Sequence, residues 1–542
     1  MAKEGKGTDK KRTRSDEEEL LRCSEIRNGE FVRYYGKKNE IVIPDTVSVI
    51  AENAFRGNKY LTRVDFGRNV SVVRKGAFKG CTSLQAVTLP SGLREIGDEA
   101  FLGCEALCAI SLPGTVVKVG VGAFRGCVSL PRIKLPQNVE TLGAYAFCDC
   151  ISLEEASLPQ NLTKIPRSAF FHCRALKAIE IPASVQTVDK YAFAHCASLE
   201  EIVFPEALGY LGIGVLTECS ALKHVEIPEK IHFIGDYFFM GCTALESVRM
   251  SDEVNFIGRY AFCGCENLIG IKLPEALEYI GSSAFLGCRS ITSLSVGALV
   301  KWIGKLAFSC CESLVKIEFA TEQLENIAEE LFFGCKSLAK ILLPDSISEI
   351  EEKAFYGCAA LTSVHVPRNL RVLDDHAFAE CTSLRSVSLP AMLRTVGRHA
   401  FENCASLTTV IFPDHKLRIG DGIFLGCDAL GVLVLSDSVR RIRRKEGKWS
   451  VPEIANLVLH SELKLALLFA ELTKEETDAE RKAVIRTEIR RHIKHLKKRN
   501  QLHSTTEIRE DINSAVQAIE EQLNPTMEEE ISENTEQSPD GE

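Results

Sequence analysis

The sequence predicts a repeat solenoid followed by a small all-α module, and three observations carry that prediction. An aromatic residue recurs on a fixed step: Phe55, Phe78, Phe101, Phe124, Phe147, Phe170, Phe193, Leu216, Phe239, Phe262, Phe285, Phe308, Phe332, Phe355, Phe378, Phe401 and Phe424 are 23 residues apart, except for 24 from Phe308 to Phe332. Sixteen cysteines, Cys81 to Cys427, lie three residues after these positions, with Asn58 the one exception. Thirteen of eighteen equivalent turn positions, Pro44 to Pro413, are proline. So strict a period marks units that bury their apolar side only against their neighbours.

Each unit reads in the same order as Ala77–Phe101. Leu84-x-x-Val87-x-Leu89 ends in the alternation of a strand, and Pro90, which cannot donate to a ladder, closes it. Leu93-x-x-Ile96-Gly97 predicts a second short extended segment, and Asp98–Cys104 predicts one helical turn ended by glycine. Parallel strands stack about 4.8 Å apart, so Phe, Leu, Val and Ile should form internal columns. The cysteine column reads as small buried hydrophobes. A disulfide or metal ladder fits less well, because no histidine or second cysteine recurs beside the column. Cys148-x-Cys150 and Cys263-x-Cys265 look like half a metal site, but the second member of each belongs to the repeat. No metal or cofactor is expected.

The unit AFxGCxSLxxVxLPxxLxxIG resembles the BspA-like class of leucine-rich repeats over residues 41–442. The resemblance implies a right-handed solenoid with a parallel β-sheet on its concave face, used for recognition, and no chemistry. Members of that class are often exported to the cell surface.

In chain order, residues 1–18 read as a disordered charged tail, with a basic run from Lys10 to Arg14. Residues 19–40 supply an N-terminal cap, because an exposed coil end needs cover. The solenoid occupies 41–448. Its extra residue, between Phe319 and Leu324, should be a local bulge, and Leu216 should leave its column slightly loose. A helical module is expected over 449–525. Ser450-Val451-Pro452-Glu453 is a capping box opening a helix to about Leu472. Thr473–Glu476 opens a second, to about Arg499, and Ser504–Glu507 a third, which Asn524-Pro525 ends. Residues 526–542 read as a disordered acidic tail.

Function, if it lies on the sheet, lies in the outward positions. Glu154, Glu155, Glu180, Glu200, Glu201, Glu226 and Glu246 form a band of seven carboxylates against Lys177, Lys223 and Arg249, which would steer a basic protein partner. The plainer reading is a solvated face with cross-coil pairs of little energy. Outward Leu342, Ile411, Val432 and Val434 point to a second contact area or to cover by the following helices. Arg481, Arg486, Arg490, Lys494 and Lys497 make the second helix basic enough to meet a nucleic acid or anionic surface. No aromatic interleaves those charges, and the net charge of −9 argues against the whole chain binding nucleic acid. His172, His195, His224 and His365 read as surface or structural. No phosphate loop, metalloprotease helix or nucleophile elbow appears, so no enzyme is expected. The charged start has no secretory signal and no run of about 18 apolar residues exists. The expectation is a monomeric, cytoplasmic, non-catalytic protein–protein interaction scaffold. The alternatives are a surface or secreted adhesin exported without a cleavable signal, and association with nucleic acid or an anionic surface through 481–499.

Overall fold

A computed structural model of the chain describes residues 14–435, 456–459, 481, 484, 485, 487 and 488. They fall in two units, Met1–Ile291 and Thr292–Glu542, each a stack of parallel coils.

One coil of the first unit shows how the repeat works. The strand Ala86–Thr88 pairs in register with Arg63–Asp65 before it and with Ala109–Ile110 after it. Val87 points into the core and is buried, whereas Thr88 faces out. The Leu93 N–H donates to the Pro90 carbonyl at 3.1 Å, closing the turn that proline opens. The second strand, Glu95–Ile96, then joins its own sheet between Val72–Val73 and Lys118–Val119. Both extended segments thus occur where the alternation placed them.

The segment Asp98–Cys104 does not form the helical turn expected of it. Its backbone is left-handed at Glu99 (φ 54°) and again at Gly103 (φ 70°). As a result, alternate N–H groups point to different places. In the preceding coil Gly76, Phe78 and Gly80 donate onward to Asp98, Ala100 and Leu102 of the next coil at 2.7–2.8 Å, while Ala77, Lys79 and Cys81 donate back within their own coil. A helix would aim every N–H along the chain and leave the neighbouring coil's carbonyls unmet. Stacking therefore overrides the local signal, and the turn becomes a third hydrogen-bonded ladder.

The aligned phenylalanines are buried and stacked. Successive ring centroids from Phe55 to Phe193 are 4.6–5.6 Å apart. Within the second unit, from Phe308 to Phe424, they are 5.0–6.0 Å apart. Full burial of one such side chain stabilises by about 1.5–3 kcal/mol. The column is not loose at Leu216. Val215 and Phe238, at positions that hold alanine in most coils, are fully buried around it, and the Leu216 N–H donates to the Phe238 carbonyl.

The amino end is covered as expected, by the hairpin Ser24–Arg27 with Glu30–Tyr34. Phe31 stacks on Phe55 at 4.8 Å. The helix Arg14–Arg22 before it takes in Arg14–Glu18, which the sequence assigned to a disordered tail. At the extra residue, Thr321 is buried; its hydroxyl donates to the Val300 carbonyl at 2.6 Å and accepts from the Gln323 N–H at 3.0 Å.

The carboxyl end departs most from expectation. Asn456–Leu459, inside the stretch 450–472 predicted as a helix, is a strand paired in parallel with Val432–Leu435. N-L-V-L repeats the pattern of V-L-V-L, and an open sheet edge offers unpaired N–H and C=O groups that such a segment satisfies. Arg481, Val484, Ile485, Thr487 and Glu488 are helical, within the second predicted helix, and Ile485 is buried. Residues 1–13, most of the helical module, the third predicted helix and the acidic tail lie outside the described residues. Among the described residues no helix is long and apolar enough to cross a membrane.

Candidate recognition surface

The first-strand sheet of the first unit runs Arg132–Lys134, Glu155–Ser157, Ala178–Glu180, Glu201–Val203, His224–Glu226 and Ser247–Arg249. Each strand buries its middle residue or most of it, so its flanking side chains face out. Register makes rows of them: Glu155, Ala178, Glu201, His224 and Ser247 follow one another across the coils, and Glu180 lies beside Val203. The candidate glutamates do share one face, as the period required.

The part of that face from Lys177 to Arg249 is the floor of a trough of about 1530 Å³, with Glu155 and Glu180 outside its lining. Glu200, Glu201 and Glu226 line it with Lys177, Lys223, His224 and Arg249, and the wall comes from the proline turns, through Glu206, Glu229 and Lys230. Reading outward strand positions alone missed this wall. Its signal was the charged residues directly after Pro205 and Pro228. Glu154 and Glu246 sit next to lining strands, Glu154 beside a lysine and Glu246 beside a histidine. Lys177 Nζ is 3.8 Å from Glu154, Arg249 is 3.4 Å from Glu226, and His224 Nε2 is 3.9 Å from Glu246. His224 Nδ1 also lies 2.9 Å from the Ser247 hydroxyl. These pairs are long and exposed, and such contacts contribute little. Glu155, Glu180, Glu200 and Glu201 have no ion-pair partner among the described residues. Between them Val203 is 75% exposed, an apolar spot inside the acidic field.

The other sequence candidates do not join this site. Leu342 is 70% exposed on the strand Lys340–Leu342, which pairs with Ser363–His365. Val434 is fully buried with Ile411 and Val432 packed against it. The apolar outward residues therefore do not form one open patch. Arg481 is exposed, while Arg486, Arg490, Lys494 and Lys497 lie outside the described residues. His172 and His195 place Nδ1 3.1 Å and 3.0 Å from the Asp149 and Glu218 carboxylates.

The repeat cysteines are buried, and all twenty-one cysteines are free. Cys104 Sγ–H donates to the Phe78 carbonyl at 3.2 Å, and Cys127 does the same to Phe101 at 3.3 Å. The Phe78 oxygen also accepts the Cys81 N–H at 3.1 Å, so both of its lone pairs are used. Burial pushes the Cys81 thiol up to about 12 and that of Cys104 well above its ordinary range. A neutral thiol is neither nucleophile nor metal ligand. Among the described residues no group of three or more His, Cys, Asp or Glu is placed to hold a metal ion.

The model of the BspA type leucine rich repeat region, six copies long, matches residues 24–154, 117–246, 233–359 and 348–446. The chain belongs to the BspA-type leucine-rich repeat family. Repeats of this type serve protein binding or surface adhesion and are typically non-enzymatic. Similar solved structures include a leucine-rich repeat protein from Bacteroides ovatus, with 25% identity over 80% of this chain and 94% of that one and a TM-score of 0.40. A leucine rich cell surface protein from Faecalibacterium prausnitzii is 24% identical over 66% and 89%, with a TM-score of 0.34. The pneumococcal vaccine antigen PcpA is 16% identical over 80% and 91%, with a TM-score of 0.33. No curated protein is significantly similar to the chain.

Proposed function

We propose that this BspA-type solenoid is a non-catalytic recognition scaffold, and that the trough between Lys177 and Arg249, together with the outward face of the strands just before it, receives an extended basic segment of a protein partner. The observation that carries the reading is the set Glu155, Glu180, Glu200 and Glu201: four outward carboxylates on consecutive coils, none in an ion pair among the described residues although Arg132 lies beside Glu155 and Lys177 beside Glu200. A basic partner gains attraction along carboxylates that make no ion pair within the fold. Val203 gives that partner one apolar anchor within the field.

The test is binding of a lysine- and arginine-containing peptide to the full chain, and to the variant Glu154→Lys, Glu155→Lys, Glu200→Lys, Glu201→Lys. The wild type should bind, and weaken as salt rises; the variant should lose most of its affinity at an unchanged melting temperature. Equal affinity for both proteins removes the proposal.

A further inference from the structure

The second-strand sheet of the same coils carries a feature that the acidic trough does not use. Tyr210, Phe233, Phe256 and Tyr279 occupy one position in four consecutive coils, and they are 37%, 36%, 38% and 41% exposed. The register is direct: Phe233 pairs with Phe256, and Phe256 with Tyr279. The Tyr210 and Phe233 rings lie 6.1 Å apart. This position needs no aromatic, because Thr141, Lys164 and Thr187 fill it in the three coils before. Their inward neighbours Leu211, Ile234, Ile257 and Ile280 already close the core. Four large rings left at the surface cost solvation that the fold does not require.

The border of this ribbon identifies its occupant. The turns between the two strands carry Glu206 after Pro205, Glu229 after Pro228 and Glu253 after Ser251-Asp252, all exposed and without an ion-pair partner among the described residues, with Lys230 next to Glu229. Glu206 and Glu229 are also the wall of the trough. Carboxylates on the turns that lead into the ribbon disfavour nucleic acid and acidic glycans, and they favour a cation. Among side-chain cations the guanidinium stacks best on a ring while its N–H groups reach a carboxylate. We propose that the ribbon takes arginine side chains of a protein segment, which reach over the turns from the trough, so that the surface selects arginine-rich over lysine-rich partners. This inference rests on the trough being a site for a basic segment.

The experiment compares two synthetic peptides of equal length and charge, one arginine-rich and one lysine-rich, titrated against the full chain by fluorescence anisotropy. The wild type should bind the arginine peptide about five times more tightly. The variant Tyr210→Ser, Phe233→Ser, Phe256→Ser, Tyr279→Ser should bind both peptides alike, at the affinity the wild type has for lysine. A single Phe256→Ser change, read in the same way, should lower the preference in part if the fourfold variant does not fold. Equal affinity of the wild type for both peptides overturns the inference, as does a preference that survives the variants. So does loss in the variants of self-association or of neutral oligosaccharide binding, with the arginine preference intact. Loss of binding to both peptides on reversing the trough glutamates supports the trough alone. No effect of that reversal removes the trough while leaving the ribbon's arginine preference to be read separately.

Discussion

Phe147, Phe170 and Phe193 share their coils with Glu155, Glu180 and Glu201, yet the two rows follow opposite rules. The inner row repeats one letter over these coils, and Phe170 is packed between Phe147 and Phe193, 5.4 Å and 5.6 Å away. Any other side chain there faces a space shaped for phenylalanine. The outer row changes from coil to coil, and its longest contacts are loose pairs such as Lys177 with Glu154 at 3.8 Å. Repetition therefore marks what the fold needs, and variation marks where it leaves freedom. The buried row should dominate stability and the exposed row should dominate binding.

Substitutions can break or sharpen that contrast. The largest effect should come from Phe124→Ala, which removes a fully buried ring and should cost about 3–5 kcal/mol in urea unfolding; a loss below about 1 kcal/mol would contradict the stacked column. Next is Cys104→Ala, which deletes a buried sulfur and its bond to the Phe78 carbonyl and should cost about 1–2 kcal/mol by the same measurement. Chemical labelling sharpens the same row: the native protein should react with a thiol reagent at exposed Cys108 and only slowly at the buried cysteines, while the unfolded chain should show all twenty-one. On the outer row, Glu180→Lys should change stability by less than about 0.5 kcal/mol. The smallest effect concerns Glu99, whose carboxyl is held below its usual range by a hydrogen bond from Lys79. A depressed folded-state value stabilises above the unfolded value, about 4.3, and that contribution is lost as the pH falls through the folded value. Glu99→Gln should therefore flatten the acid limb of the stability curve slightly.

The sequence made the inner row legible because identical environments demand identical residues. Phe78, Cys81, Leu84, Pro90 and Ile96 each announced a role that the coil confirms. It also placed the glutamates on one face, since a period of two within a strand fixes which side chains point out. Three features were harder to read. The glycine at Gly103 looks like a helix terminator, and only the neighbouring coil reveals that its left-handed backbone serves a cross-coil ladder. Ser450–Glu453 carries a sound helix-start signal, but the strand at 456–459 answers an unpaired edge that lies outside any local window. The aromatic ribbon was visible as Tyr210, Phe233, Phe256 and Tyr279 on the common step. It went unnoticed because it occupies a position that polar residues usually fill. Whether the trough binds anything is not written in the period at all, for outward residues obey no shared constraint.

The third ladder also gives the stack a sense of direction. Phe78 and Gly80 offer their N–H groups to the coil that follows, whereas Cys104 returns its thiol to the coil before. A shortened protein would consequently have unlike ends. Within this ladder, removing coils from the carboxyl side bares donors, and removing them from the amino side bares acceptors. The Tyr34 N–H, bound to the Ala54 carbonyl at 3.0 Å, already answers the second case. An engineered lid for the opposite terminus must therefore bring oxygen atoms to this ladder, which the Tyr34 N–H does not supply.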